Sequence, residues 1–233
     1  MAEAEELEEG WRSFTSVERA MARRMERATQ MAISTEFTHV DVAAAQAETA
    51  RLKAEGWPIT FNSLVVIGVA RSLAKFPEVA SVIDYENWRR RVPEAPNVGI
   101  AVASERGLVV PVIREPGNKS GREIVDELAG IVRDVRAGAA DAALFKDGHF
   151  SITNIGNQPI YGGVPLPNVP QPAILGVSGF YEAPVVRDGE IVATTLGRLT
   201  IAIDHRALEG MAAAGFLTSM KELLEDPGRL TSS

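Results

Sequence analysis

The chain has 233 residues, of which 45% are hydrophobic and 24% are charged, as is usual for a soluble globular protein. It contains no cysteine, which excludes disulfide bonds, thiolate metal ligands and catalysis by a thiol. The net charge of −7 argues against nucleic-acid binding, and the lack of an uncharged apolar run of about 18 residues predicts a cytoplasmic protein without a membrane span.

The first half of the chain is predicted to contain three helices and one strand. Residues 1–14 are expected to form an acidic N-terminal tail, and residues 15–233 a single domain. Thr15 and Glu18 have the spacing of a capping box, so the first helix is expected to begin there. The elements predicted after it are a strand at 33–42, a polar helix at 43–55 and a buried helix at 62–75.

The second half of the chain is predicted to be richer in strands. Its expected elements are a hairpin at 97–113, a helix capped by Ser120 and Glu123, a strand at 150–153, and strands at 173–181 and 193–204 joined by a turn at Asp188 and Gly189. A loop rich in glycine and proline follows the strand at 150–153 and ends near Pro172. This order of elements favours a single α/β domain with a mixed sheet.

The sequence around His205 changes from a strand pattern to a helix pattern. Before it, Leu199, Ile201 and Ile203 alternate with polar or small residues, as in a half-buried strand. The apolar positions after it have helical spacing: Leu208, Met211, Ala212, Phe216, Met220, Leu223 and Leu224. Because the pKa of histidine lies near neutrality, His205 at a strand end is a candidate general base. The alternative is a histidine with only a structural role.

Other catalytic and cofactor-binding motifs are absent from the sequence. His39, His149 and His205 form no ligand cluster and no H-E-x-x-H occurs, so no metal site is predicted. His39 has no acidic partner at a useful spacing and is predicted to be structural. No G-x-G-x-x-G follows a strand, and neither a P-loop nor a G-x-S-x-G elbow is present.

Two motifs resemble those of a known family, the catalytic domain of the dihydrolipoamide acyltransferase component of 2-oxo acid dehydrogenase complexes. D-H-R-A-L-E-G at 204–210 resembles its D-H-R-x-x-D-G signature, and F-S-I-T-N-I-G at 150–156 resembles its F-T-I-[ST]-N-x-G segment. Further matches, in the family's order, are R-A-M-A-R-R-M at 19–25, N-V-G-I-A-V-A at 97–103, G-L-V-V-P-V-I-R at 107–114 and P-Q-P-A-I-L-G-V at 170–177. The resemblance implies the fold of chloramphenicol acetyltransferase, a two-layer sandwich of a mixed β-sheet and helices.

The resemblance also implies an acyltransferase site. His205 would be the general base that takes a proton from a thiol or hydroxyl. Thr153 would donate a hydrogen bond to the tetrahedral oxyanion. Acetyl-CoA would be the co-substrate, with Asn154, Gly156 and Arg206 expected to contact coenzyme A. In the family the active site lies in a channel between adjacent subunits of a trimer, so a homotrimer is expected and a monomer should be inactive.

The sequence departs from the family at two positions near this site. The family usually has an aspartate four residues after the histidine, held by an arginine, and this chain has Glu209 there. The carboxylate is expected to take part in catalysis through an altered ion pair, with Arg24 as its partner. A histidine of the family's first strand is replaced by Ile33 if Phe37 is aligned, which affects substrate selection.

Three functions are compatible with these residues. Only about fourteen residues precede the first helix, so a free-standing enzyme without its own lipoyl domain or covalently bound lipoate is expected. The leading hypothesis is transfer of an acetyl group from acetyl-CoA to a hydroxyl of a small molecule, for example a tetronate or another polyketide intermediate in natural-product biosynthesis. The first alternative is a dihydrolipoamide acyltransferase core of a 2-oxo acid dehydrogenase complex. The second is a non-catalytic assembly core, because this fold also forms trimers and larger cages.

Overall fold

The computed structural model describes residues 10–104, 107–156, 158 and 160–231. The helices in this part of the chain are α1 (Ser16–Ala28), α2 (Ala43–Ala54), α3 (Phe61–Leu73), α4 (Gly121–Arg136), α5 (Gly210–Glu225) and α6 (Gly228–Thr231). Capping boxes open α1 at Thr15 and Glu18 and α4 at Ser120 and Glu123, as predicted. A third, between Thr60 and Ser63, opens α3.

The described strands form one large sheet and two small ribbons. They are β1 (Ile33–Asp41), β2 (Val82–Asp84), β3 (Arg89–Arg91), β4 (Val98–Ile100), β5 (Val102–Ser104), β6 (Gly107–Val109), β7 (Val112–Ile113), β8 (Phe150–Asn154), β9 (Ala173–Arg187) and β10 (Glu190–Asp204). The six-stranded sheet has the order β1-β10-β9-β8-β4-β7. Only the β8 pairs with β4 and β9 are parallel within it, so the predicted mixed sheet is confirmed.

One face of the sheet packs against the helices. Val40 and Val42 are each 1% exposed, whereas Phe37, on the opposite face of β1, is 62% exposed; this is the alternation that the sequence predicts. Helix α3 lies between α4 and α5 and is buried along nearly its whole length, which confirms the predicted buried helix. The helix layer and the sheet together make the two-layer sandwich.

The opposite face of the sheet carries the loop between β8 and β9. A Cβ atom at Gly176 would lie 3.3 Å from Pro165 of this loop. At Gly179 the backbone has a φ of +66°, and a Cβ atom there would lie 2.8 Å from the carbonyl oxygen of Ile160. Glycine is required at position 179 because the loop backbone packs directly on the strand there, whereas at position 176 a Cβ atom would only make a tight contact with the Pro165 side chain.

Several elements differ from the sequence-based expectation. The β2–β3 ribbon was not predicted, and the strands β9 and β10 extend to a tight turn at Asp188 and Gly189, so they are longer than expected. Helix α5 begins at Gly210 instead of Leu208. Met211 is 80% exposed, so its predicted place on the apolar face of that helix was wrong. The predicted 97–113 hairpin forms as β5 and β6, but its turn residues lie outside the described residues.

None of the described helices is long and apolar enough to cross a membrane.

Replacement of Phe216 by alanine should destabilise the fold strongly. Phe216 is fully buried on α5, and its ring centroid lies 5.3 Å from that of Phe150 on β8. Removal of a buried phenylalanine side chain should lower the free energy of unfolding by about 3–5 kcal/mol. Thr218→Ala on the exposed side of the same helix is the control and should change it by less than about 0.5 kcal/mol. Denaturant unfolding measures both, and equal effects would contradict the assigned core.

Candidate active site

His205 occupies a tight turn between β10 and α5. The turn is closed by the backbone N–H groups of Ala207 and Leu208, which donate to the carbonyl oxygen of Asp204 at 2.9 and 3.0 Å. The N–H group of His205 itself donates to the carbonyl oxygen of Ala32, just before β1, at 2.8 Å. The side chain is exposed, and no other described side chain hydrogen-bonds to its ring. Its position therefore depends on the backbone of the turn.

A buried carboxylate precedes this histidine. Asp204 is 0% exposed and accepts hydrogen bonds from the Arg206 guanidinium (Nε–Oδ1 2.9 Å, Nη2–Oδ2 2.5 Å) and from the Tyr85 hydroxyl (2.8 Å). The Arg206 guanidinium lies 4.6 Å from the centre of the Tyr85 ring. The backbone N–H group of Arg206 also donates to Asp204 at 3.1 Å. The turn that carries His205 is thus held by a compact charged network.

The protonation states within this network follow from its contacts. Burial alone would raise the pKa of Asp204, but the hydrogen bonds from Arg206 and Tyr85 outweigh it, so the pKa lies below its ordinary value. Burial, together with the hydrogen bond to Asp204, raises the pKa of the Tyr85 hydroxyl. At neutral pH Asp204 is therefore ionised and Tyr85 is a protonated donor.

The predicted oxyanion donor lies on the outer face of the sheet, away from the helices. Thr153 is on β8 opposite Gly176 of β9, and its side chain is half-buried. The neighbouring Asn154 lies on the helix side, where its amide group donates to the side-chain oxygen of Asn62 on α3. The Asn154 oxygen accepts from the N–H group of Gly156 at 2.7 Å. Both Asn154 and Gly156 therefore shape the loop after β8.

The three residues predicted to contact coenzyme A make other contacts in the single chain. Asn154 and Gly156 bond to each other, and Arg206 is bound to Asp204. Their assignment to coenzyme A stays a prediction. If Arg206 binds a phosphate group of coenzyme A, it would have to do so while paired with Asp204.

His205 and Thr153 do not meet within one chain. Thr153 pairs with Gly176, and Gly176 pairs with Thr200 on β10, so Thr153 lies two strands from Thr200, or about 10 Å. His205 is five residues beyond Thr200, which adds about 16 Å along the strand. In an ideal flat sheet these offsets place the two Cα atoms about 19 Å apart, far beyond the reach of a common substrate atom. A site that uses both must take them from different chains.

Glu209 is exposed at the N-cap of α5, where its side chain caps no backbone group. The predicted ion pair between Glu209 and Arg24 is wrong for the single chain: no ion pair of Glu209 is present among the described residues. The physical reason is the position of α1, whose Arg24 lines a cavity of about 400 Å³ together with Gln171 and Val112. Val112 belongs to β7, at the opposite edge of the sheet from β1.

Ile33, which occupies the position of a family histidine, pairs with Asp204 across β1 and β10. It therefore lies next to the turn that carries His205. Tyr85 is the residue of this site that sequence reasoning missed. It is 119 residues from Asp204 and belongs to a ribbon with no recognised motif, so no sequence signal pointed to it.

Two further features bear on what the site can hold. Surface cavities of about 570 and 400 Å³ include neither His205 nor Thr153 in their linings. Within the described part of the chain, no group of three or more histidine, aspartate or glutamate side chains is placed to bind a metal ion. The exposed imidazole of His205 can serve as a proton acceptor.

The architecture of the chain defines its fold, and the match to a family model defines its family. The fold is that of chloramphenicol acetyltransferase, whose structure superposes with a TM-score of 0.55 at 14% identity over 87% of this chain and 94% of that one. Residues 8–232 match the family model for the 2-oxoacid dehydrogenases acyltransferase catalytic domain. The chain therefore belongs to that family.

Similar proteins agree with this assignment. The chain is 37% identical over 173 residues, 74% of its length, to the dihydrolipoyllysine-residue acetyltransferase component of the pyruvate dehydrogenase complex of Bacillus subtilis. It is 33% identical over 97% of its length to the dihydrolipoyllysine-residue succinyltransferase component of the 2-oxoglutarate dehydrogenase complex of Bartonella vinsonii subsp. berkhoffii. The matches span 39% and 56% of the length of those two relatives.

Solved structures extend the comparison to the site. Dihydrolipoamide acetyltransferase of Azotobacter vinelandii superposes with a TM-score of 0.88 at 27% identity, over 97% of this chain and 95% of that one. The cubic core of a pyruvate dehydrogenase multienzyme complex superposes with a TM-score of 0.86 at 27% identity, over 99% and 96%. In the Azotobacter enzyme, a serine, a histidine and an asparagine studied for their catalytic role are separated by 52 and 4 residues. Thr153, His205 and Glu209 have the same separations.

Asp204→Asn should destabilise the protein in a manner that depends on pH. The substitution leaves the Arg206 guanidinium, whose side chain is 37% exposed, without its carboxylate, at a cost of about 2–3 kcal/mol at pH 7. Because the folded-state pKa of Asp204 is depressed, this stabilisation is complete above the unfolded-state pKa and disappears as the pH falls through the folded-state value.

Denaturant unfolding from pH 7 to pH 2.5, at fixed protein concentration, measures this effect. The difference between the wild type and Asp204→Asn should shrink below about pH 4. Asp188→Asn, at the exposed turn between β9 and β10, is the control and should show no such trend. A difference that is independent of pH would contradict the ionised state of Asp204.

Proposed function

We propose that the protein is a dihydrolipoamide acyltransferase that moves an acyl group between coenzyme A and a dihydrolipoyl thiol. The observation that carries the proposal is the pair His205 and Thr153, at the spacing of the histidine and serine of the Azotobacter enzyme. His205 is an exposed base on a fixed turn, and Thr153 is a hydroxyl on the outer face of the sheet.

The proposed acyl acceptor is a thiol, whereas the leading hypothesis from the sequence was a hydroxyl. Relatives at 33–37% identity are dihydrolipoyllysine-residue acyltransferases, and none of the comparisons supports acylation of a tetronate or another polyketide hydroxyl. One relative transfers acetyl groups and the other succinyl groups, so both acyl donors belong in the test. If this chain has no lipoyl domain of its own, a lipoyl group on another chain would serve as the acceptor.

The reaction needs one base and one oxyanion donor. The neutral His205 ring takes the proton from the dihydrolipoyl thiol, and the resulting thiolate attacks the thioester carbonyl of acyl-CoA. The hydroxyl group of Thr153 donates to the oxyanion that forms. When the intermediate collapses, the C–S bond to coenzyme A breaks and the His205 imidazolium returns its proton to the departing CoA thiolate. Atoms and charges balance without a metal ion or an oxidant.

The proposed active unit contains more than one subunit. The separation of about 19 Å between His205 and Thr153 along the sheet supports a site formed by His205 of one subunit and Thr153 of its neighbour. The part of the outer face at β1, where Phe37 is 62% exposed, offers a surface for that neighbour. A homotrimer fits this arrangement, and the cubic core of the related complex supports further assembly.

Acyl transfer to dihydrolipoamide should be measurable directly. Incubation with acetyl-CoA or succinyl-CoA should release free coenzyme A when dihydrolipoamide is present and not when simple alcohols replace it. His205→Ala should lower kcat by about 10²–10⁴-fold because the base is lost. Thr153→Ala should lower it by about 10²–10³-fold with a small effect on the KM for acyl-CoA. Full activity of His205→Ala, or turnover only with alcohols, would refute the proposal.

Mixing two inactive variants tests the shared site. Thr153→Ala subunits keep His205, and His205→Ala subunits keep Thr153, so a mixed trimer contains some sites with both groups. After dissociation and random reassembly in equal amounts, about a quarter of the wild-type activity should return, because each site draws the two residues independently from two subunits. Each variant reassembled alone is the control. No recovery on mixing would place both groups in one chain and contradict the proposed arrangement.

A further inference from the structure

The β2–β3 ribbon contacts the catalytic turn at two places. Tyr85, in the loop between the two strands, donates its hydroxyl proton to Asp204 at 2.8 Å. Arg90 on β3 donates from Nη1 to the carbonyl oxygen of Ala207 at 3.1 Å. These contacts hold the residue immediately before His205 and a residue two positions after it.

The ribbon is itself fixed to the body of the protein. Ile83 on β2 is 8% exposed, and its N–H group donates to the carbonyl oxygen of Pro170 at 3.2 Å. The loop is ordered by Asp84, which accepts from Asn87 at 2.9 and 3.2 Å and from Arg89 at 2.7 Å. Because the ribbon is held in place, its contacts with Asp204 and Ala207 can hold the turn in place as well.

The turn needs such support because His205 has little of its own. Its ring is exposed and has no hydrogen bond from another described side chain, and within the described part of the chain its one backbone hydrogen bond is to Ala32. A general base must lie within about 3 Å of the proton it removes, and a displacement of about 1 Å can cost about 100-fold in rate.

We infer that Tyr85 and Arg90 are positioning residues that orient His205 for proton transfer by bracing the turn at 204–208. This inference rests on the proposed function of His205. Tyr85 acts through Asp204 and lies beneath the Arg206 guanidinium, whereas Arg90 acts through the main chain at Ala207. Neither residue belongs to the D-H-R motif, and they reach it only through the fold.

The high pKa of the Tyr85 hydroxyl is consistent with this role. The phenol remains a protonated donor throughout the range in which a histidine base operates. Tyr85→Phe keeps the ring under Arg206 and removes only the donor, so it is a mild test of the brace.

Steady-state kinetics of acyl transfer to dihydrolipoamide tests the inference. Tyr85→Phe should lower kcat about tenfold and change the KM for acyl-CoA less than twofold, because substrate binding is retained while the base is misplaced. Arg90→Gln should lower kcat about threefold for the same reason. Arg91→Gln is the matched control, since the Arg91 side chain is exposed on the same strand and makes no hydrogen bond or ion pair with the turn among the described residues, and it should leave kcat unchanged.

A double-mutant cycle separates bracing from general destabilisation. In an Asp204→Asn background, Tyr85→Phe should cause less than about a twofold further loss of kcat, because the two residues act through one hydrogen bond. Unchanged kcat in Tyr85→Phe, or an equal tenfold loss in both backgrounds, would overturn the inference.

Hydrogen exchange of the peptide that contains Ala207 and Leu208 provides a readout that requires no acceptor. Tyr85→Phe should accelerate exchange of these two N–H groups, and Arg91→Gln should not. Unchanged exchange in Tyr85→Phe would overturn the bracing role. If the wild type fails to acylate dihydrolipoamide but the accelerated exchange is observed, the proposed acceptor is wrong and the brace stands.

Discussion

The pairing of β10 with both β1 and β9 fixes the position of His205, and the pairing of β9 with β8 fixes that of Thr153 relative to it. β10 forms a continuous register with β1 from Asp204 to Leu196, and with β9 it pairs along nearly all of its fifteen residues. Asp204 is the last residue of β10, so the strand delivers the buried carboxylate and the following histidine to one end of the sheet. Residues 199–204 of β10 are all buried, so a shift of one residue would exchange the large side chains of Ile201 and Ile203 with the smaller ones of Thr200 and Ala202 between the two faces of the strand and disrupt the core.

The same register determines what a single chain lacks. Thr153 is held two strands away and several residues along the sheet from His205, and no rotamer change can close about 19 Å. The base and the oxyanion donor of a single chain are therefore too far apart to act on the same thioester. In the proposed arrangement a second subunit would complete the site on the outer face, where Thr153 lies beside the β8–β9 loop. Assembly and catalysis would then depend on the same strand pairing.

Much of the fold was predictable because it depends on short sequence patterns. Alternating apolar residues predicted β1 and β10, and the capping boxes at Thr15 and Ser120 predicted two helix starts. The β2–β3 ribbon was missed because Arg89, Arg90 and Arg91 are all exposed and show no alternation. The family motif identified His205 and Thr153 but could not show that Arg206 pairs with Asp204, since that contact depends on burial of the carboxylate. The link from Tyr85 to Asp204 spans 119 residues and has no local pattern at all.

Within the single chain, the glutamate at position 209 lies outside the contacts that hold the turn of His205. Its carboxylate is exposed at the N-terminus of α5, where negative charge is favoured by the helix dipole whether the side chain is aspartate or glutamate. The ion pair that fixes the turn in this chain is instead Asp204 with Arg206, supported by Tyr85. Because Asp204 is fully buried and Glu209 is not, the low-dielectric contact dominates the electrostatics of the turn. Within the single chain, an extra methylene at position 209 therefore changes an exposed side chain and alters none of the contacts of Asp204 with Arg206 and Tyr85.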